Sequence, residues 1–412
     1  MKIQLIIIGN ELLNGKISDK NTSYLAKLAF EHNFELTKTH IIGDDPNSFQ
    51  KALKEAWEVS DIVITSGGLG PTKDDLTKDM LAQYFSKKIE VNDEALSFVR
   101  KIYQDKGKEY SDKMAYHFIP QDFKLLYNRI GYAPALQYSE GAKTVYALPG
   151  VPSEFQVLLN EEIFPTLKKD DNQFKHIIIK TYGVPEAQIF YKIAPLLWDE
   201  LCKYGEVSSL PHAYGVDIGV KLTEKNTDQL AQFEKEIIAL VQSHGLKDYI
   251  WHIGSESLEE VIIREAKAKN IKIGFAESCT GGLCASRITD ISGSSSVFWG
   301  SVVSYANEVK MKSLKVKEDT LKNKGAVSEE TALEMAIGAR AHLDVDIAVT
   351  TTGIAGPGGA TPGKPVGTVG IGFSDKHASA SKMYYLNGNR EQLKVRFSQV
   401  ALFTLLERIR NF

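Results

Sequence analysis

The sequence predicts an α/β protein: an N-terminal doubly wound domain, a small α+β middle domain and a C-terminal α/β domain. Three observations carry that reading. Strand-like runs at 2–8, 35–42 and 61–65 alternate with helical spacing at 21–32 and 46–59, the pattern of a parallel sheet covered by helices on both faces. The run at 61–65 enters a glycine-rich turn, Gly67-Gly68-Leu69-Gly70-Pro71. The same strand, glycine loop and helix order returns at 271–282, and a strand again enters a glycine-rich loop at 345–359.

Each element has its local reason. Residues 2–8 are almost wholly apolar, which suits a strand buried on both faces. Between 21 and 32, Tyr24, Leu25, Leu28 and Ala29 share one helical face. Asp44-Asp45-Pro46-Asn47 is a turn that caps a helix running to about Val59. Val145–Leu148 is a later strand, ending in Pro149-Gly150-Val151-Pro152. The first domain closes near residue 170, in the polar stretch 168–172. The middle domain, 171–254, alternates strand-like runs (177–180, 215–222, 249–253) with helical patterns (185–198, 226–243) and reads as a spacer. In the third domain, 255–412, a helix at 257–269 leads to the strand at 271–275, with further strands at 345–352 and 366–373. Helical spacing at 389–411 rests on Leu393, Phe397, Val400 and Phe403.

Composition narrows the function classes. The 412 residues are 43% hydrophobic and 25% charged, an ordinary globular balance for two or three domains. A net charge of −3 gives no electrostatic footprint for nucleic acid. Three cysteines, Cys202, Cys279 and Cys284, make no disulfide framework and no zinc motif. No apolar run reaches transmembrane length, and the N-terminal run is too short for a signal peptide. The expectation is a soluble, cytoplasmic protein with no membrane or nucleic-acid partner.

The densest chemistry is Glu277-Ser278-Cys279-Thr280-Gly281-Gly282. A strand ends there, small hydroxyl and thiol residues follow, and two glycines open a helix. Such a turn offers backbone N–H groups to an anion or oxyanion and holds two candidate nucleophiles, Ser278 and Cys279. The same residues also suit a simple N-cap. Serine needs a base. Lys310 with Tyr305 is a more economical choice than any histidine, since His342 and His377 read as surface positions, and a buried lysine can act as base. The loop 353–363, with five glycines, sits directly after a strand. There it suits phosphate, with Arg390 or Arg396 as partner. In the first domain Glu11, Asp44, Asp45, Asp74 and Asp75 all follow strands or the glycine turn. They read as turn formers one by one, or together as oxygen ligands for a hard divalent metal.

Several long strings then resemble one family in order. AESCTGG (276–282), SYANEVK (304–310), GAVSEETALEMA (325–336), TTGIAGPGG (351–359), KPVGTVGIG (364–372) and NGNR (387–390) resemble the C-terminal domain of the CinA family, a nicotinamide-mononucleotide amidohydrolase. The resemblance implies Ser278 as nucleophile and Tyr305 and Lys310 as its activating partners, without a cofactor. It implies substrate contacts from Cys279, Thr280, Gly281, Gly282, Thr352, Gly353, Ala355, Gly356 and Arg390.

GGLGPTKDDLT (67–77) and LPGVPSE (148–154) resemble the family's N-terminal domain, which is similar to molybdopterin-binding domains and is associated with metal-dependent ADP-ribose pyrophosphatase activity. That implies substrate contacts from Gly9, Gly67, Gly68, Gly70, Thr72 and Asp75. It also implies a divalent metal held by Glu11, Asp44, Asp75 and Glu154. The implied whole is a two-activity enzyme of pyridine-nucleotide recycling acting on nicotinamide mononucleotide and ADP-ribose, and a homodimer. The alternatives are a pterin- or nucleotide-binding module and a competence-associated protein. Two departures stand out. Ala135 follows Asn128-Arg129-Ile130-Gly131-Tyr132-Ala133-Pro134 where the family commonly has glycine. The middle segment is similar to the family's KH-like part but carries Gly183-Val184-Pro185-Glu186-Ala187, which argues against RNA binding.

Overall fold

A computed structural model describes residues 1–167, 173–224 and 227–412. The chain falls into two compact units, Met1–Asn172 and Gln173–Phe412. The polar stretch 168–172, where the sequence places the first boundary, lies outside the described residues.

The first unit is built on six strands: β1 (Lys2–Ile8), β2 (Glu35–Ile42), β3 (Ile62–Ser66), β6 (Lys124–Leu126), β7 (Ala135–Glu140) and β8 (Lys143–Leu148). They run in the order β2-β1-β3-β8-β7-β6. A short ribbon pairs β4 (Ile89–Val91) with β5 (Phe118–Pro120). The pairs β1–β2, β1–β3 and β3–β8 are parallel, and β8–β7 and β7–β6 are antiparallel. Successive side chains on a strand point to opposite faces, so β1 feeds two cores. Ile6 and Ile8 pack with Phe49, Leu53 and Leu81 from the helices Pro46–Val59 and Thr77–Tyr84. Ile3, Leu5 and Ile7 pack with Leu25, Leu28 and Phe155 from Asn21–Glu31 and Pro152–Leu158. This two-faced burial is the doubly wound arrangement the alternation predicts. Ala135, at the family's glycine position, opens β7 and is fully buried, so the strand accepts the methyl group.

In the second unit, β9 (Gln173–Thr181), β10 (Glu206–His212), β11 (Gly215–Glu224) and β12 (Ile250–Ile253) form an antiparallel sheet ordered β10-β11-β9-β12. The expected helix 185–198 is interrupted. Helical turns cover Glu186–Gln188 and Ile189–Ile193, and the chain becomes helical again at Leu197–Leu201. Pro195 stands in the gap, where its missing N–H breaks the ladder.

The remaining strands are β13 (Ile273–Glu277), β14 (Phe298–Val303), β15 (Ile347–Gly353), β16 (Thr368–Ser374) and β17 (Ser379–Tyr385), ordered β14-β13-β15-β16-β17. β13 is parallel to both β14 and β15. Ile273 and Phe275 face a core shared with the helices Leu258–Ala268 and Arg390–Arg410. Ala276 and Ala348 face Leu314, Met335 and Ala339 on the other side. The middle sheet is packed onto this domain. The Tyr182 ring lies 3.7 Å from that of Phe403, and Trp251 meets Phe403 edge-on at 5.3 Å. Arg410 donates to the Trp251 carbonyl at 2.9 Å.

Candidate functional site

Two sites form at the carboxyl ends of parallel strands, one in each unit. In the second unit β13 ends at Glu277 and delivers Ser278, whose backbone N–H donates to the Thr351 carbonyl of β15 at 2.9 Å. On the other side the Ser304 N–H, just past β14, donates to the Glu277 carbonyl at 2.8 Å. The ladder on both sides therefore fixes where the serine stands. Gly281 (φ +64°) and Gly282 (φ +98°) then turn the chain into the helix Leu283–Thr289. Any other residue in that left-handed region costs about 1–2 kcal/mol.

Lys310 is the fourth residue of the helix Asn307–Leu314 and is only 1% exposed. Its ammonium nitrogen is 3.0 Å from Ser278 Oγ, 2.7 Å from the Ser304 carbonyl and 3.2 Å from the Tyr305 carbonyl. Burial pulls its pKa below the usual lysine value. A neutral amine has two N–H donors and one lone pair. Two of its three partners are carbonyls, which only accept, so the lone pair is left for the Ser278 hydroxyl proton. The serine and the lysine named from sequence thus meet directly. Tyr305 lines the same cavity but is 67% exposed. Its hydroxyl has no hydrogen bond among the described residues. It is the Tyr305 carbonyl, not the hydroxyl, that meets Lys310.

Cys279 is buried beside them, and desolvation pushes its thiol up to about 12. A thiol so protonated is a poor nucleophile. Thr280 shares a hydrogen bond with Thr351 Oγ1 at 2.7 Å. The cavity, about 200 Å³, is lined by Ser278, Cys279, Tyr305, Lys310, Ala326, Val327, Thr352, Gly353, Ala355 and Arg390. Arg390 bridges its mouth, donating to the Gly356 carbonyl at 2.6 Å. Arg396 is turned away and donates to the Asn387 carbonyl. Ala326 and Val327 had no role in the sequence reading, although their string GAVS lies inside a quoted motif.

One expectation changes in detail. The helix N-terminus after Ser278 does not offer all its N–H groups to a ligand. Those of Gly282 and Cys284 donate to Glu277 Oε2 and that of Ala285 to Glu277 Oε1, each at 3.0 Å.

In the first unit a cavity of about 530 Å³ opens where β1, β2, β3 and β8 end. Its wall includes Gly9, Glu11, Asp44, Gly67, Gly68, Gly70, Asp74, Asp75 and Glu154. Asp45 stays outside and caps the helix Pro46–Val59 through the Ser48 N–H at 2.8 Å. Thr72 borders an adjacent cavity, and its N–H donates to Asp75 Oδ2 at 2.9 Å. The N–H groups of Gly68, Leu69 and Gly70 have no acceptor among the described residues, as a phosphate cradle requires. Glu154 accepts from Asn128 Nδ2 at 2.6 Å, and burial raises its pKa.

Two asparagines carry no role in the sequence reading. Asn128, fully buried, holds Glu154 and the Gly131 N–H. Asn21 ties Ser66 Oγ (2.9 Å) to the Gly150 carbonyl (3.0 Å). Asn128 heads the quoted string 128–134, which does not show its partners, and Asn21 stands in no string that signals chemistry.

The four carboxylates expected to hold a metal, Glu11, Asp44, Asp75 and Glu154, line one cavity. Among the described residues no three acidic, histidine or cysteine side chains converge as a metal cage. The donors fit a hard cation held by one or two carboxylates together with substrate phosphates, the usual habit of Mg²⁺.

Comparison with known proteins follows the same division. Residues 255–409 match the "CinA C-terminal domain" family, and residues 4–169 match the "Probable molybdopterin binding domain" family. A relative from Caldicellulosiruptor saccharolyticus, whose name marks it as competence-damage inducible, is 36% identical over the whole of both chains. A CinA-like protein from Kosmotoga olearia is 35% identical over 98% of this chain and 97% of its own. The crystal structure of a competence/damage inducible protein from Agrobacterium tumefaciens is 37% identical, with a TM-score of 0.36, and covers 37% of this chain and 96% of its own. No helix among the described residues is long and apolar enough to cross a membrane.

Proposed function

The chain belongs to the CinA family, and from that premise we propose that its C-terminal domain hydrolyses the carboxamide of nicotinamide mononucleotide to nicotinate mononucleotide and ammonia. The carrying observation is the buried Lys310 amine 3.0 Å from Ser278 Oγ, with two backbone carbonyls taking its N–H groups.

Ser278 Oγ attacks the carboxamide carbon while its proton passes to the Lys310 amine. The carbonyl oxygen becomes an oxyanion. The N–H groups of Cys279 and Thr280, which donate to no other residue among the described residues, are available to it. The Lys310 ammonium then protonates the departing nitrogen, ammonia leaves, and an acyl-serine remains. Lys310 next takes a proton from water, the water oxygen attacks the acyl carbon, and nicotinate mononucleotide departs as Ser278 recovers its proton. Tyr305 meets the substrate at the cavity mouth, and Arg390 with the loop after β15 suits its phosphate.

The test is ammonia release from nicotinamide mononucleotide by the full chain. Wild type and Cys279→Ala are expected to release ammonia within about threefold of each other, since the thiol is protonated and only fills space. A wild type that releases none sinks the reading. A Cys279→Ala variant that releases none replaces it with a cysteine mechanism.

For the N-terminal domain we propose divalent-metal-dependent hydrolysis of ADP-ribose to AMP and ribose 5-phosphate. The uncommitted amides of Gly68, Leu69 and Gly70 support a phosphate there. A bound metal would neutralise the pyrophosphate charge, with Asp75 and Glu154 as its candidate holders. The absence of a three-carboxylate cage among the described residues favours a second reading, a pterin- or nucleotide-binding module that turns nothing over. Metal-dependent AMP formation that disappears in Asp75→Asn decides for hydrolysis. Binding without AMP formation decides for the module.

A further inference from the structure

The turn after Ser278 contains seven backbone N–H groups, from Cys279 to Ala285, and they are divided. Leu283 N–H leans on the Thr280 carbonyl at 3.4 Å. Gly282, Cys284 and Ala285 are held by the Glu277 carboxylate, which also accepts from Ser301 Oγ at 3.1 Å. Those of Cys279, Thr280 and Gly281 donate to no other residue among the described residues. Glu277 is fully buried, so its carboxylate is satisfied by four protein donors at 3.0–3.1 Å.

A helix start leaves orphan N–H groups, and the side chains that ordinarily take them are serine and threonine. Thr280, two and three residues ahead of the Gly282 and Leu283 N–H groups, stands at the right distance in sequence to do so. It does not: the helix Leu283–Thr289 begins at Gly282 with no side-chain cap, and Glu277 supplies the acceptor from the strand behind. We propose that Glu277 is a positioning residue of the amidase site. By holding three N–H groups of this turn it fixes the backbone that carries Ser278 beside Lys310 and leaves the Cys279 and Thr280 amides for the oxyanion. The inference rests on the reading of Ser278 as nucleophile. Removing the carboxylate leaves three N–H groups without an acceptor, and the turn rearranges to satisfy them, which moves the serine from Lys310 and spends the amides.

The test uses the full chain as Glu277→Gln, with Ser301→Ala as the milder variant. Glutamine keeps the shape but points N–H groups at N–H donors. Two readouts are taken. One is the rate at which a small alkyl fluorophosphonate labels Ser278, which needs no knowledge of the substrate. The other is kcat, KM and the pH profile for ammonia release. Labelling and kcat are expected to fall roughly 100-fold in Glu277→Gln, in line with the loss of an oxyanion donor, and about threefold in Ser301→Ala. KM and the pH midpoint set by Lys310 stay where they are, whereas a generally loosened core admits water to Lys310 and moves that midpoint up.

Labelling and kcat of Glu277→Gln within threefold of wild type overturn the proposal, and so does a moved midpoint. If Glu277→Gln fails to fold, an unaltered labelling rate in Ser301→Ala overturns it. Wild type that labels at Ser278 but releases no ammonia overturns only the assigned substrate. Wild type that does not label at all removes both readings.

Discussion

Lys310→Met lowers kcat for deamidation by roughly 10⁴-fold, Ser278→Ala brings it to the same floor, and the double variant falls no further; groups that act as one unit are lost together. The expectation follows from the contacts of one nitrogen. Lys310 is 1% exposed, and its three polar neighbours are the serine hydroxyl and two carbonyls. Among the described residues no carboxylate partners it, so burial alone acts to favour the neutral amine, and its pKa moves down from the ordinary lysine value. The base must be neutral to accept a proton. Activity therefore rises with pH through a midpoint lower than that of a solvated lysine, and stays high above it until another group intervenes. Methionine keeps the stem's packing while removing the nitrogen, so folding should survive, as a thermal melt will show. A Lys310→Met variant with more than a tenth of wild-type kcat removes the lysine from the mechanism.

Much of this geometry was legible beforehand. The strands at 2–8 and 61–65 announce themselves because they are apolar runs that end at turn residues. The strand Glu206–His212 does not, because Ser208, Ser209 and Pro211 break its alternation. Ser278 and Lys310 were named as partners, yet no spacing rule measures a gap of thirty-two positions. What joins them is the parallel pairing of β13 with β14, a long-range fact. Glu277 was visible in its motif but had no role, since capping by a residue five to eight positions ahead of its donors has no local signature. Asp45 shows the converse. It shares a turn with Asp44, and only the helix it caps separates their duties.

The second large effect concerns the first unit. Gly68→Ala should cut ADP-ribose hydrolysis roughly 100-fold, the cost of moving a ligand cradle by about an ångström. Gly68 has φ +67°, and an added methyl carbon would stand 2.3 Å from Thr77 Oγ1. That hydroxyl is buried and donates to the Gly67 carbonyl at 2.8 Å, so it cannot yield without releasing the loop. The strained backbone adds about 1–2 kcal/mol. AMP formation measured beside ammonia release gives an internal control, since deamidation should stay within twofold. Unimpaired AMP formation would mean the glycine turn does not hold the phosphate. Equal loss of both activities would mean the variant is simply unfolded.

The 21-residue helix Arg390–Arg410 begins at the cavity of Ser278 and Lys310, where Arg390 meets Gly356, and runs on against the middle sheet, where Phe403 meets Tyr182 and Arg410 meets Trp251. At 1.5 Å per residue it is a rod about 30 Å long. A rod clamped at one end is a lever: tilting the middle sheet by 5° about that clamp swings the far end by about 2–3 Å over that length, as much as a hydrogen bond spans. The middle sheet therefore anchors the far end of the rod whose first residue, Arg390, lines the cavity. Cutting the chain at residue 254 would unclamp the lever as well as shorten the protein.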